Sequence, residues 1–291
     1  MNDYELIDTG GYEKLERFGQ YTLRRPEPQA MWQKAMPDRQ WEQLADAWFK
    51  KKKSNERGEW LTKPKMRKQW FVSHQYKDMK LNFRLGLTAF KHVGIFPEQE
   101  TSWNFIYDNC RNSNNTIKVL NLFAYTGGAS LAATAAGASV THVDSVKQVL
   151  TWSRENMKAS QLDDIRWVCD DALKFAKREW HRGNRYQAII LDPPAYGRGP
   201  EGEKWQLEEH IAELMGACSR LADEESFFCV LTLYSMGFSS LIAENLLKEY
   251  FPGCLEIEHG ELFLEDRAKR KLPLSVFGRT LKKRALFCEG H

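Results

Sequence analysis

"IKVLNLFAYTGGASLAATAAGASVTHVD", residues 117–144, runs from an apolar segment through a glycine pair and an alanine-rich stretch to a second apolar segment that ends on an acid. The first segment, "IKVLNLF", reads as a buried strand, "ASLAATAAG" as a helix and "SVTHVD" as the next strand. A strand that feeds a helix and returns as a strand implies a right-handed crossover and a parallel pair. Working outward, the alternation continues: "VKQVLTWSRENMKAS" and "ALKFAKREW" are helical, and "IRWVC" and "YQAIILD" are strands. A helix from about Trp205 to Leu221, a strand "SFFCVLTLY", a helix "SSLIAENLLKEYF" and closing strands in "LEIEHGELFLE" and "SVFGRTLKKRALFC" complete the run. The fold class is α/β, with a mostly parallel sheet covered by helices on both faces.

The first third has another texture. It is rich in tryptophan and basic residues, and short strand-like pieces "YELID", "KLERF" and "YTLRR" alternate with glycine turns. "WEQLADAWFKKKKSNERGEW" reads as a short helix running into a charged loop, "LNFRLGLTAFKHVGIFPEQ" as extended chain, and Asp108 to Thr116 as a polar linker. The expected division is a β-rich or α+β substrate-side domain over residues 1–110 and the α/β domain over 111–291.

Bulk properties narrow the function. The 291 residues carry a net charge of +3, which permits an anionic partner without demanding one. The six cysteines form no C-x-x-C pair, so neither a zinc site nor a disulfide framework is indicated, and no metal is expected. The sequence shows no signal-peptide pattern and no run of about 18 apolar residues, so a cytoplasmic protein without a membrane partner is expected.

In an open α/β sheet, ligands bind beyond the carboxyl ends of the strands. Four such ends carry candidate residues. The first is the loop Phe123 to Gly128, where glycine lets backbone approach a ligand and the following helix offers unpaired N–H groups. The second is Asp144, followed by Ser145. It lies 17 positions after Gly127, a spacing suited to a carboxylate that accepts from a ribose diol. The loop reads T-G-G-A-S rather than G-x-G-x-x-G, which argues against a dinucleotide and for another ribose-bearing cofactor. The third is Asp170 with Asp171; one can cap the next helix and the other accept from an adenine amino group, although capping alone also accounts for the pair. The fourth is "LDPPAYGRGP", residues 191–200, where Asp192 stands beside Pro193 and Pro194. Two prolines fix φ and remove two donors, so carbonyl oxygens are expected to face outward beside the carboxylate. Such an acceptor cluster orients an amino group, and Tyr196 offers a face for stacking a flat substrate.

Taken together, the glycine loop, the two acids and D-P-P resemble a class I S-adenosylmethionine-dependent methyltransferase, with its Rossmann-like, mostly parallel seven-stranded sheet. "VLNLFAYTGGAS", "DDALKF" and "LDPPAYGRGP" resemble more closely the bacterial 23S rRNA large-subunit methyltransferase family, as do "HVGIFPEQ" and "LPLSVFGRT" outside the core. The resemblance implies S-adenosylmethionine as cofactor. Its methionine moiety would lie on Phe123, Tyr125, Thr126 and Gly127, its ribose on Asp144 beside Ser145 and its adenine near Asp170 or Asp171, with Phe96 and Gln99 helping to close the pocket. Asp192, Pro193 and Tyr196 would serve the reacting group, with Tyr196 and Arg198 contacting substrate, and ribosomal RNA is the implied partner. Relatives that methylate cytosine at carbon 5 place a cysteine after the fifth strand; here that place reads Leu233, Tyr234, Ser235, and Cys229 lies inside the strand. Amino methylation by orientation is therefore expected, though Ala195 occupies the position where amino-methyltransferases carry their aromatic. Alternatives are a protein amide or small-molecule N-methyltransferase, or an S-adenosylmethionine-binding regulator. Cations in "FKKKKSNER", "DRAKRK" and "RTLKKR", with Trp48 and Trp60, are candidates for phosphate and base contacts, against the simpler account of a solvated charged loop for Lys50 to Lys53.

Overall fold

The computed structural model describes residues 1–51, 57–113, 115–234, 237–253 and 256–282. The chain divides into two compact units. One comprises Met1–Thr101, Glu155–Gln161 and Phe263–Leu274; the other comprises Ser102–Arg154, Leu162–Leu262 and the chain from Ser275.

The first unit contains β1 (Tyr4–Gly10), β2 (Glu13–Phe18), β3 (Tyr21–Pro26), α1 (Asp38–Leu44), β4 (Ala47–Lys51) and β5 (Gly58–Thr62), whose strands form one sheet in chain order. A separate hairpin pairs β6 (Gln69–Tyr76) with β7 (Met79–Gly86). Ile7, Leu15, Trp41 and Ala45 form a small core, and the buried Asp8 carboxylate accepts from the Trp41 indole at 2.7 Å and from the Met36 amide at 2.9 Å. Ala47–Lys51 is a strand rather than the start of a charged loop. Its alternating burial, with Ala47 and Phe49 inside and Trp48 and Lys50 outside, is a period-two pattern that the lysine run obscures.

Helix α2 (Glu100–Arg111) belongs to the second unit from Ser102 on and absorbs Asp108 to Arg111 of the expected linker. Trp103, Ile106, Tyr107 and Cys110 fall at i, i+3, i+4 and i+7, a stripe that is buried and keeps this polar-looking segment helical. The expected division at residues 110–111 thus lies at the end of a helix.

From there strands and helices alternate: β8 (Lys118–Leu122), α3 (Gly128–Ala135), β9 (Ser139–Asp144), α4 (Lys147–Ala159), β10 (Ile165–Cys169), α5 (Ala172–His181) and β11 (Ala188–Leu191). A short hairpin of β12 (Tyr196–Arg198) and β13 (Lys204–Gln206) precedes α6 (Leu207–Ser219), β14 (Phe227–Tyr234), α7 (Ser240–Tyr250), β15 (Glu256–Glu265) and β16 (Lys271–Lys282). The seven-stranded sheet runs β10-β9-β8-β11-β14-β16-β15, with parallel pairs from β10 to β14 and β16 antiparallel to β14. Leu120, Leu122, Ile189, Leu191, Cys229 and Leu231 are wholly buried in its core, together with Phe175 and Leu214 from flanking helices. Burial on both faces explains why these strands read as continuous apolar runs.

Candidate active site

Register brings the four strand ends to one level. Leu122 pairs with Val143 and with Leu191, and Cys169 pairs with Asp144. The loops after β8, β9, β10 and β11 therefore leave the same edge of adjacent strands. At that edge stand Phe123, Asp144, Asp170 and Asp192.

The loop after β8 is tightly wound. Phe123, Tyr125 and Gly127 have φ values of 56°, 49° and 94°, so three alternating residues occupy the left-handed region, two of them without the freedom of glycine. The surroundings enforce this. Ala124 N–H donates to the Val143 carbonyl at 3.1 Å, Tyr125 N–H to Asp144 Oδ2 at 3.0 Å, and Ser153 Oγ to the Tyr125 carbonyl at 2.7 Å. Thr126 is buried, and Gly127 caps α3. A side chain on Gly128 would lie 2.6 Å from the Trp103 ring, so its glycine serves helix packing as much as ligand approach.

Beneath the loop, His142 is completely buried. Its Nδ1 lies 2.9 Å from Ser130 Oγ, which also accepts from Asn121 Nδ2 at 2.9 Å, and its ring packs on Trp167 at 4.7 Å. Burial pulls the imidazole down to about 3, so it is neutral at physiological pH.

Asp144 accepts from Val146 N–H at 2.9 Å through Oδ1 and from Tyr125 N–H through Oδ2. Burial raises its carboxyl, and these two amide bonds oppose that effect. One lone pair on each oxygen remains beyond those bonds, an acceptor pair that fits the two hydroxyls of a ribose. Ser145 is half-buried, and its carbonyl accepts from the Cys169 thiol at 3.6 Å.

The two acids after β10 have separate duties. Asp171 is the cap of α5 and accepts from Lys174 N–H at 2.9 Å. Asp170 is ion-paired with Arg178 and accepts from the Asp171 amide at 2.8 Å. The cap bond engages one oxygen of Asp171.

After β11, Asp192 is half-buried and Pro193 is buried. The expectation of outward carbonyls fails at Pro194, whose oxygen accepts from the Trp205 indole N–H at 2.6 Å. Trp205 is buried, lies 4.8 Å from the Phe123 ring and stacks on His210 at 5.6 Å. It joins the acceptor-side loop to the loop after β8, and the residue readings above had placed it only at the start of a helix. The available signal was its place in "GPEGEKWQ", a glycine-rich turn returning to an apolar residue. Tyr196 is 71% exposed and Arg198 is exposed, both on the β12–β13 hairpin. Lys174 pairs with Glu201 and Glu203 of that hairpin's turn, at 3.3 and 2.5 Å.

The remaining candidates belong to other elements. In the first unit Phe96 precedes a single 3₁₀ turn, Pro97–Gln99, its ring edge-on to His92 at 5.2 Å, and Gln99 is buried. Cys229 is in mid-strand, level with Ile189 and Thr280, and fully buried. Burial pushes the Cys110 and Cys218 thiols up to about 12. Tyr234 ends β14; Ser235 lies outside the described residues, as do Lys52, Lys53, Lys283 and Arg284. The "DRAKRK" cations are engaged: Arg267 pairs with Glu5, Arg270 with Asp8 and Asp266, and Lys269 with Glu265.

A family profile described as S-adenosylmethionine-dependent methyltransferase matches residues 21–205. The chain belongs to this methyltransferase family. A solved S-adenosylmethionine-dependent methyltransferase from Agrobacterium tumefaciens is 39% identical and superposes with a TM-score of 0.89 over 97% of this chain and 91% of that one. A putative methyltransferase from Streptococcus mutans, 18% identical with a TM-score of 0.72 over 96% of this chain and 75% of that one, shares the fold. Among curated relatives, ribosomal RNA large subunit methyltransferase K/L of Shewanella frigidimarina is 32% identical over 143 residues, 48% of this chain. Ribosomal RNA large subunit methyltransferase I of Escherichia coli is 33% identical over 109 residues, 36% of this chain. The matched parts span only 19% and 25% of those two proteins. As a member of this family the chain uses S-adenosylmethionine, and the loop after β8 with the Asp144 carboxylate suits its ribose-bearing half. No helix among the described residues is long and apolar enough to cross a membrane.

Proposed function

We propose that the chain transfers a methyl group from S-adenosylmethionine to an exocyclic amino nitrogen of a base in cytoplasmic ribosomal RNA. The observation that carries this reading is the common level of Phe123, Asp144 and Asp192 at the ends of three adjacent strands, β8, β9 and β11. A cofactor cradle and an acceptor carboxylate thereby share one edge. The curated relatives named as ribosomal RNA methyltransferases support the choice of RNA.

The bound cofactor supplies an activated methyl on a sulfonium, so the protein contributes orientation and charge. Phe123 to Gly127 hold the methionine end, and Asp144 holds the ribose. With Asp171 spent on its helix, Asp170 is the acid left for the adenine amino group, shared with Arg178. Asp192, beside the buried Pro193, accepts from the substrate amino group and aims its lone pair at the methyl. Tyr196 stacks on the base, and Arg198 meets phosphate.

No thiol enters this scheme. Cys229 is enclosed in the sheet and cannot reach a base, which disfavours chemistry at carbon 5 of cytosine. The test is methyl transfer from labelled S-adenosylmethionine to ribosomal RNA of a strain lacking the gene. An N-methylated nucleoside is expected. Labelling of protein but not RNA would redirect the reading to an amide acceptor.

A further inference from the structure

The first unit holds a cleft that the transfer site does not use. It measures about 380 Å³ and is lined by Tyr21, Asp46, Lys63, Pro64, Lys65 and Met66. Its size falls within the range of small-ligand sites. Tyr21, Pro64 and Met66 make apolar walls. The Tyr21 ring is steadied edge-on by Trp70 at 5.3 Å, and its hydroxyl accepts from the Arg67 amide at 3.1 Å.

The polar groups are placed unequally. Asp46 Oδ2 accepts from the Thr22 amide at 2.8 Å, and the Asp46 backbone pairs with Thr22 and Lys63. That fixes the carboxylate and leaves Oδ1 without a partner among the described residues. On the rim, "TKPKMRK", residues 62–68, carries Lys63, Lys65, Arg67 and Lys68 with no acid in the run. Lys63 Nζ donates to the Gln43 carbonyl at 2.7 Å, whereas Lys65, Arg67 and Lys68 have no carboxylate partner among the described residues.

Apolar walls, one fixed acceptor and two lysines in the lining suit a flat ring that bears an amino group and a phosphate. The side chains of an acidic peptide offer the Asp46 carboxylate no donor, whereas an amino-bearing base does. We infer that this cleft binds a single unpaired nucleotide of RNA whose base carries an exocyclic amine, Asp46 Oδ1 accepting from that amine while Lys63 and Lys65 meet the flanking phosphates. The inference rests on the RNA reading given above and gives the first unit a share in substrate choice.

Base preference provides the test. Binding of fluorescent single-stranded oligo(C) and oligo(U) to the full chain is followed by anisotropy across a salt series. Wild type is expected to prefer oligo(C) about tenfold, the worth of one hydrogen bond to a charged group. In Asp46→Asn the amide oxygen keeps the Thr22 bond and its NH₂ points inward, so the preference is expected to turn toward oligo(U), whose base presents a carbonyl at that edge. Lys63→Ala with Lys65→Ala is expected to weaken both oligomers alike and to reduce the salt slope by about 1.4, two contacts at about 0.7 each. None of these variants touches the residues assigned to transfer, so cofactor affinity stays as in wild type.

Equal binding of the two oligomers by wild type and Asp46→Asn overturns the cleft assignment, even if ribosomal RNA is methylated. So does polyglutamate that competes as well as RNA. Absence of both RNA binding and RNA methylation overturns the RNA reading itself, and the cleft assignment with it.

Discussion

The loops that leave the sheet after β8 and β11 solve the same problem by opposite means. The first gains its shape from backbone strain held in place by buried groups, with φ positive at Phe123, Tyr125 and Gly127 and anchors from Asp144, Ser153 and Val143. The second gains its shape from two prolines and one side-chain clamp, Trp205 on the Pro194 carbonyl, and ends in an exposed hairpin. The difference matches what each must hold. A rigid cradle suits a small cofactor such as S-adenosylmethionine, which is enclosed whole. The RNA base proposed as acceptor would arrive within a larger partner, and an exposed hairpin with Tyr196 at its base suits that. The two loops should therefore separate in experiment, one governing cofactor affinity and the other transfer.

The largest effect is expected on the acceptor side. Asp192→Ala should lower kcat about 100-fold or more, the usual consequence of losing alignment of a reacting group, while the Kd for S-adenosylmethionine by calorimetry stays within a few-fold of wild type. A parallel loss of cofactor affinity would merge the two loops into one site and break the comparison. Next comes Asp144→Ala, which removes a charged acceptor and a brace on the Tyr125 amide. Its cofactor Kd should rise about 10- to 100-fold, corresponding to about 1.5–3 kcal/mol, with kcat at saturating cofactor changed little.

Trp205→Phe sharpens the contrast further. The ring contact with Phe123 survives but the N–H donor is lost, at about 0.5–1.5 kcal/mol, because the exposed Pro194 can turn its carbonyl to water. Transfer is expected to fall about tenfold with cofactor affinity unchanged; unchanged transfer in a chain whose thermal midpoint has merely dropped would make Trp205 a packing residue only.

The smallest effect concerns pH. His142 is depressed from 6.5 to about 3 in the folded chain, so between those values the unfolded chain binds more protons and stability rises with pH. The contribution is present above pH 6.5 and is lost as pH falls, at about 1.4 kcal/mol per unit from this one site. His92, also pulled down to about 3 by burial, acts with the same sign in the first unit. Denaturant titrations from pH 7 to 5 should show a shallower loss for His142→Gln than for wild type. An identical slope would mean that His142 is not held neutral under the cofactor loop.

Much of the second unit was legible from its residues. Buried parallel strands announce themselves as apolar runs, and acids stand out where those runs end. What escaped reading depends on contacts distant in sequence. The helix ending at Arg111 hides behind a polar surface, and only its buried stripe from Trp103 to Cys110 shows what it packs. The strand Ala47–Lys51 is masked by lysines on its exposed side. Positive φ at Phe123 and Tyr125 carries no sequence mark, since neither residue type favours that conformation. The Pro194 carbonyl looked open because proline removes donors locally, whereas the donor that fills it comes from Trp205, eleven residues on. At Asp171 a helix cap and a ligand read alike in sequence, and the structure adds the cap bond to Lys174.

The central claim is that a cofactor loop and an acceptor loop on one sheet edge together methylate an amino group of ribosomal RNA. Nucleoside mass mapping of ribosomal RNA from a deletion strain, before and after incubation with the purified chain and S-adenosylmethionine, tests it most directly. One N-methylated base is expected to be missing from the deletion strain and restored by wild type but not by Asp192→Ala. A restored 5-methylcytosine, or a modification pattern identical with and without the gene, would contradict it.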